Sequence, residues 1–371
     1  MHANCDICNG ISANPGLTNI VLGAQLGVSE STIRRHKATN LAEVDDFFGV
    51  PLSAITSRGR SIRTEDGWEK VTYDPKAVAL AEALAYDDFA DLLDFKPGVL
   101  PNSQGDTLHA TLADLQVGKD DENGGTYELI ERLNASLGRV IALVERIQPR
   151  ELVLWELGDI IEGFNNTPQQ RETNDLDLVT QIRVARRAIV SIIKALAPLV
   201  PKLVLASVPS NHGQVRVGMG NKNGASTPSN DYGIEINHMV EDVFEDRPGF
   251  EHVTFLRPVG LHEEVVTYTT WDGTVVGAAH GHQAGTSAKM GDFWKGMSHG
   301  RRGNLHNADL LLFGHHHHFM MTQSGDARWL IGAPALDGGS AWFSNRKGES
   351  SDSGILVFTT RNKKWGELHV C

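Results

Sequence analysis

Cysteine is scarce in this chain, with three among 371 residues, and two of the three lie together in Cys5-Asp-Ile-Cys8. So few thiols exclude a disulfide framework and point to a reducing, cytoplasmic compartment. No second C-x-x-C follows to complete a zinc finger. His2 and His36 are the nearest further donors, at a spacing that fits no finger, so the role of Cys5 and Cys8 stays open. Long hydrophobic runs are also missing. None reaches the roughly 18 apolar residues of a membrane-spanning helix, so no membrane partner is expected. The start, Met1 to Cys5, lacks the basic and apolar regions of a secretory signal. Positive charge is in deficit, 34 Lys and Arg against 46 Asp and Glu, for a net charge of −12. That excludes a generally basic, nucleic-acid-coating surface but leaves room for a local basic patch. It also suits a carboxylate-rich site whose charge a metal offsets.

Histidine, by contrast, is plentiful, with 16 residues, many of them after residue 200. The densest group follows the apolar run Leu310–Phe313: Gly314 and then His315, His316, His317 and His318. An apolar run of this kind reads as a buried strand, and the glycine allows a sharp turn at its end. Histidines just beyond it project from the carboxyl edge of a sheet, where open α/β sheets put their ligands.

A length of 371 residues allows one large domain with a smaller one, or two to three domains. Residues 1–40 carry a segment, Leu17 to Lys37, that resembles a helix-turn-helix. Leu22 and Leu26 share a helical face, Gly27 suits the tight turn, and Ser29 is a good N-cap for the second helix. That helix carries Ser31, Thr32, Arg34, Arg35 and Lys37, side chains suited to phosphate and base-edge contacts. The same pattern also fits a helical hairpin used for packing or protein contact. Residues 41–105 read as a linker containing a hairpin about Asp66-Gly67 and a helix from Lys76 to about Phe95.

From 106 to 371 strands and helices alternate. Strands are expected over Thr107–Ala113, Glu151–Leu157, Lys202–Ala206, 252–256, 264–269, 274–279 and Leu310–Phe313. Helices are expected over Tyr127–Gln148, Leu176–Ala197 and 233–245, with a Gly-, Asn- and Ser-rich loop at 214–230. Five strand ends run into polar groups: Asp114 and Gln116; Asp159 and Glu162; Asn211 and His212; His280 and His282; His315 and His317. One such ending is unremarkable as a cap or turn. Five in one chain imply a shared site.

Taken in order, Asp114-x-Gln116, Gly158-Asp159-x-x-Glu162, Asn211-His212, His280 and Gly314-His315-x-His317 resemble the calcineurin-like metallophosphoesterase superfamily, over about 107–320. The resemblance implies an α/β fold: a β-sandwich flanked by helices, here preceded by the small helix-turn-helix-like domain. It implies two divalent transition-metal ions bridged by Asp159. Asp114, Gln116 and His317 would complete one position, and Asn211, His280 and His315 the other. Mixed imidazole, carboxylate and amide donors suit manganese, iron, zinc, nickel or cobalt better than calcium or magnesium, with manganese the expected ion. The resemblance further implies a metal-activated hydroxide as nucleophile and His212 as the proton donor.

Two departures stand out. Gln116 replaces a histidine, and Gly213 replaces the carboxylate that orients the imidazole of His212, so another acid must hold that ring. Arg301 and Arg302 can bind a phosphate beyond the scissile one, or form a solvated basic turn. Together these features favour a phosphodiesterase or nuclease acting on DNA, with a homodimer the oligomer common among such nucleases. Two alternatives stand beside it. One is a phosphomonoesterase or small-substrate phosphodiesterase with a partner-binding N-terminus, and the other a non-catalytic DNA-binding protein with a degenerate metal site.

Overall fold

In the computed structural model of the chain, the described residues are Leu26, 59–64, 67–72, 100–121, 124–164, 170, 173–219, 222–337 and 352–371. The chain divides into two compact units, Met1–Asp87 and Asp88–Cys371. In the first, β1 (Gly59–Thr64) and β2 (Gly67–Thr72) pair antiparallel with Thr64 opposite Gly67, the hairpin expected about Asp66-Gly67. Cys5, Cys8, the helix-turn-helix residues Ser31, Thr32, Arg34, Arg35 and Lys37, and the helix expected from Lys76 lie outside the described residues.

Alternation along the strands sets the layers of the second unit. Its larger sheet has the order β15 (Lys364–Val370), β14 (Leu356–Arg361), β3 (Thr107–Leu112), β4 (Glu151–Glu156), β5 (Leu203–Ser207), β8 (Val253–Leu256). β3, β4, β5 and β8 are parallel, and β14 and β15 extend the sheet antiparallel. The smaller sheet has the order β12 (Met320–Gln323), β13 (Trp329–Gly332), β11 (Leu310–Phe313), β10 (Val275–Ala279), β9 (Val265–Thr269), with β10, β11 and β13 parallel.

Every second residue of the central strands enters one buried cluster between the sheets. Val153, Trp155, Val204 and Ala206 meet Val276, Ala278, Leu310 and Leu312 there. The residues in the opposite phase, Leu152, Leu154, Leu203 and Leu205, are buried as well. Central parallel strands need cover on both faces, and this sequence supplies it.

Helices flank the sandwich. α1 (Thr126–Ile147) buries Leu129, Leu133, Leu137, Val140 and Val144, spaced three or four apart as one helical face requires. α2 (Leu178–Leu196) is capped by Asp177, which accepts the Thr180 N–H at 2.8 Å. α3 (Tyr232–Phe244) is capped in the same way by Asp231. Met290 and Trp294 of α4 (Met290–His299) pack on Ala279, Leu311 and Phe313, the outer face of the smaller sheet. No helix among the described residues is long and apolar enough to cross a membrane.

One segment differs from expectation. The stretch read as an irregular loop at 214–230 contains a hairpin, β6 (Arg216–Met219) with β7 (Lys222–Ala225). Hairpin bonds are main-chain bonds, so a Gly- and Asn-rich composition does not preclude them. α1 also carries a testable irregularity. Gly138 is exposed, and an added Cβ would meet nothing within 4 Å. Gly138→Ala is expected to raise the unfolding free energy by about 0.5–1 kcal/mol in urea titrations; a lowered midpoint would contradict the helix at this position.

Candidate active site

After three of the five site-bearing strands, β3, β4 and β11, the chain turns on residues that are not glycine. Asp114, Gln116, Asp159, His315 and His317 have φ of 50°, 48°, 50°, 66° and 56°. Left-handed backbone of this kind costs on the order of 1 kcal/mol per residue and persists only where surroundings enforce it. Main-chain bonds between the loops do the enforcing. The Asp114 N–H donates to the Gly158 carbonyl (3.2 Å), that of Gln116 to Asp159 (2.8 Å), and that of Gly314 to His280 (2.8 Å). Two glycines permit the close approach. A Cβ on Gly158 would lie 2.6 Å from His280 Nδ1, and one on Gly314 would lie 2.7 Å from Asp114 Oδ2.

Three strand ends come from the larger sheet and two from the smaller, and they meet at Asp159. Ligand atoms of Asp159, His280 and His315 all lie within 4.8 Å of one another. Asn211 joins them, its Oδ1 2.9 Å from His280 Nε2, while Asp159 Oδ2 is 3.0 Å from the same nitrogen. His280 Nδ1 is 2.7 Å from the Leu157 carbonyl and so carries its proton there. Nε2 therefore faces two oxygen acceptors, and only a second proton or a cation satisfies all three atoms.

Imidazole, carboxylate and amide oxygen converging in this way fit a divalent transition-metal ion. With no ion, a proton takes that place. Burial opposes it, but Asp159 outweighs burial and raises His280 to about 9. The Asp159 carboxyl is 1% exposed and is held well below the usual range. Burial works against its charge, and His212 and then His280 more than offset this. His315 is pushed down by burial and then by His280, which leaves it neutral, the form that ligates a metal. Its backbone N–H donates to Asp114 Oδ2 at 2.8 Å.

His212 sits beside this group. Its N–H donates to Asp159 Oδ1 (2.8 Å), and its Nδ1 is 3.1 Å from Glu162 Oε2. Burial disfavours the imidazolium, yet Asp159 and then Glu162 raise it to about 9. Glu162 is thus the acid that holds the ring in the absence of a carboxylate at 213. The room for a side chain at 213 is taken by Asp231, whose Oδ1 would be 2.8 Å from a Cβ there. Asp231 also accepts the Ser210 N–H at 3.1 Å, so it ties the Ser210–His212 loop to the start of α3.

The remaining expected ligands reach the same edge but do not form a second cluster. No other group of three His, Cys, Asp or Glu among the described residues brings its ligand atoms within 4.8 Å. Gln116 Oε1 accepts a hydrogen bond from Lys119 Nζ at 2.9 Å, and Lys119 is paired with Asp337. His317 lies between two carboxylates, with Nε2 3.4 Å from Asp114 Oδ1 and Nδ1 3.3 Å from Asp337 Oδ2. Burial counts against charge on this ring, but Asp337 and Asp114 raise it to about 10.

Neither Lys119 nor Asp337 emerges from the strand-end pattern as first drawn. Asp337 does follow a sixth strand end, that of β13, and could have been found by extending the pattern. His316 and His318 do not alternate with His315 and His317 as in an extended segment, because left-handed turns at 315 and 317 break it. The His318 Nδ1 lies 2.8 Å from the His316 carbonyl, and the His282 ring is 5.4 Å from that of His280. Arg301 and Arg302 are exposed in the turn after α4, and no bond among the described residues joins them to the cluster.

No family model and no curated protein matches the chain. Solved structures overlay on it at low similarity. Vps29 of Chaetomium thermophilum is 10% identical, covering 70% of this chain and 84% of that one, with a TM-score of 0.33. A metallophosphoesterase from Sphaerobacter thermophilus is 12% identical over 71% of this chain and 87% of its own, with a TM-score of 0.30. A dimetal phosphatase from Danio rerio is 8% identical over 70% and 94%, with a TM-score of 0.32. Overlaps of this depth carry no weight for function; the donor geometry does.

Two outcomes follow from the geometry. Gly158→Ala drives a methyl against His280 and is expected to weaken manganese binding roughly 10–100-fold by calorimetry, with unchanged affinity counting against His280 as a ligand. Glu156 gives the second. Its Oε1 accepts the Gly158 N–H at 2.8 Å and its Oε2 the Asn237 amide at 3.0 Å, and burial raises it from 4.5 to about 8. Between those values the folded chain keeps a proton that the unfolded chain has lost, so this residue lowers stability as pH rises from about 4.5 to about 8. Glu156→Gln should flatten that slope in melts recorded with a chelator present; an unaltered slope would show that Glu156 does not titrate in this window.

Proposed function

We propose that this chain is a metal-dependent phosphoesterase and that its substrate is a DNA phosphodiester. One observation carries the chemistry. His280 Nε2 faces both Asp159 Oδ2 and Asn211 Oδ1 within 3.0 Å, with its other nitrogen already engaged. A divalent cation bound there supplies Lewis acidity to a phosphoryl oxygen.

The chain's own residues do the rest. Asp159 would help hold that cation, and its Oδ1 fixes the His212 backbone. Glu162 faces His212 Nδ1 at 3.1 Å, which keeps a proton on that nitrogen and sets the ring's tilt. As water adds to phosphorus and the ester P–O bond breaks, the opposite nitrogen, Nε2, would hand a proton to the leaving oxygen. Asp231 and Glu162 divide the work of the carboxylate absent at 213: one positions the loop and the other the ring.

The nucleic-acid half of the proposal is supported by sequence, through Ser31, Thr32, Arg34, Arg35 and Lys37. In this scheme residues 1–40 bring the chain to DNA, 41–105 link, and 106–371 carry the chemistry. Arg301 and Arg302 would contact a flanking phosphate.

The test is cleavage of single- and double-stranded DNA with Mn²⁺. Asp159→Asn and His212→Ala should each lower the rate by roughly 10²–10⁴-fold. Undiminished cleavage in both would remove the site assignment. Deleting residues 1–40 should weaken DNA binding while leaving hydrolysis of bis-p-nitrophenyl phosphate intact. A chain that cleaves p-nitrophenyl phosphate but not DNA would instead be a monoesterase.

A further inference from the structure

We infer that this chain holds one divalent cation rather than two, and that the ammonium of Lys119, fixed between Gln116 and Asp337, stands in for the second. The inference rests on the metal-dependent proposal above and narrows it.

The donors of the two positions are engaged differently. At the position of Asp159, Asn211, His280 and His315, the donor atoms converge, and no Lys or Arg side chain among the described residues bonds to them. At the other, the single oxygen of the Gln116 side chain is taken by Lys119 Nζ at 2.9 Å. The loop itself puts the lysine there. The Lys119 N–H donates to the Gln116 carbonyl at 2.9 Å, closing a turn that folds the lysine side chain back over Gln116. The lysine side chain is 12% exposed and its partner Asp337 1%.

Asp337 is shared. It also faces Nδ1 of His317, whose Nε2 faces Asp114. Two buried carboxylates thereby face one ammonium and one imidazolium without an ion. The oxygen of Asp159 that does not face His280 is taken by the His212 N–H. What remains is Asp114 Oδ1, which is buried and has no hydrogen-bond partner, and His317 Nε2 opposite it. These two donors, which face only each other, fall short of the three protein ligands that a catalytic transition-metal site takes.

A lysine in this place has a consequence for chemistry. An ammonium is a fixed positive charge with hydrogens to donate. It can neutralise a phosphoryl oxygen as a second ion would, but it cannot act as a Lewis acid.

Metal content decides the matter without reference to activity. The full chain is equilibrated with excess Mn²⁺, freed of loose ion, and assayed for manganese per chain together with its electron paramagnetic resonance spectrum. One manganese per chain with an uncoupled six-line spectrum is expected. Two per chain with exchange coupling overturns the inference and leaves the metal-dependent proposal standing. No bound manganese overturns that proposal itself. In the double variant Lys119→Met with Gln116→His, the ratio should rise to two; a folded variant that stays at one overturns the part given to Lys119. If the variant does not fold, the wild-type ratio still decides.

Discussion

The carboxylate of Asp159 is almost wholly removed from water, and a buried charge must find compensation. Its neighbours are chosen accordingly. His280 supplies a ring nitrogen, His212 a backbone donor and a ring, and His315 a third imidazole within reach. None of the three comes from β4, the strand that delivers Asp159. The carboxylate therefore links β4 and β5 of one sheet to β10 and β11 of the other. The core that joins the sheets also brings the neutralising groups to the acid.

Holding those groups together places demands on the backbone. Five site residues take left-handed conformations that their side chains disfavour, and main-chain bonds from one loop to the next keep them there. Glycine is used where space, not only torsion, is limiting. Gly158 lets His280 approach, and Gly314 lets Asp114 approach. Glu156 adds a buried carboxyl that receives the Gly158 N–H, so the turn is also fixed from below.

Much of this was legible in the sequence. The strand ends at Asp114, Asp159, Asn211, His280 and His315 are written as apolar runs broken by polar groups, and the structure brings them to one edge. What was hidden is what depends on distance along the chain. Asp231 fills the space beside Gly213 from 18 residues away, and nothing local to either residue signals it. Lys119 reads as a surface lysine until the turn at Gln116 folds it onto Asp337. Left-handed backbone at His315 and His317 sets the course of the four-histidine segment, and nothing in the histidine run itself signals it. The helix-turn-helix residues fall outside the described part of the chain.

The central claim is that Asp159, Asn211, His280 and His315 together hold a divalent cation. Anomalous diffraction from crystals soaked in manganese tests it most directly. The account predicts an anomalous peak within roughly 2.0–2.3 Å of donor atoms from these four residues. Soaked crystals with no peak there, or with manganese bound only elsewhere, would contradict it.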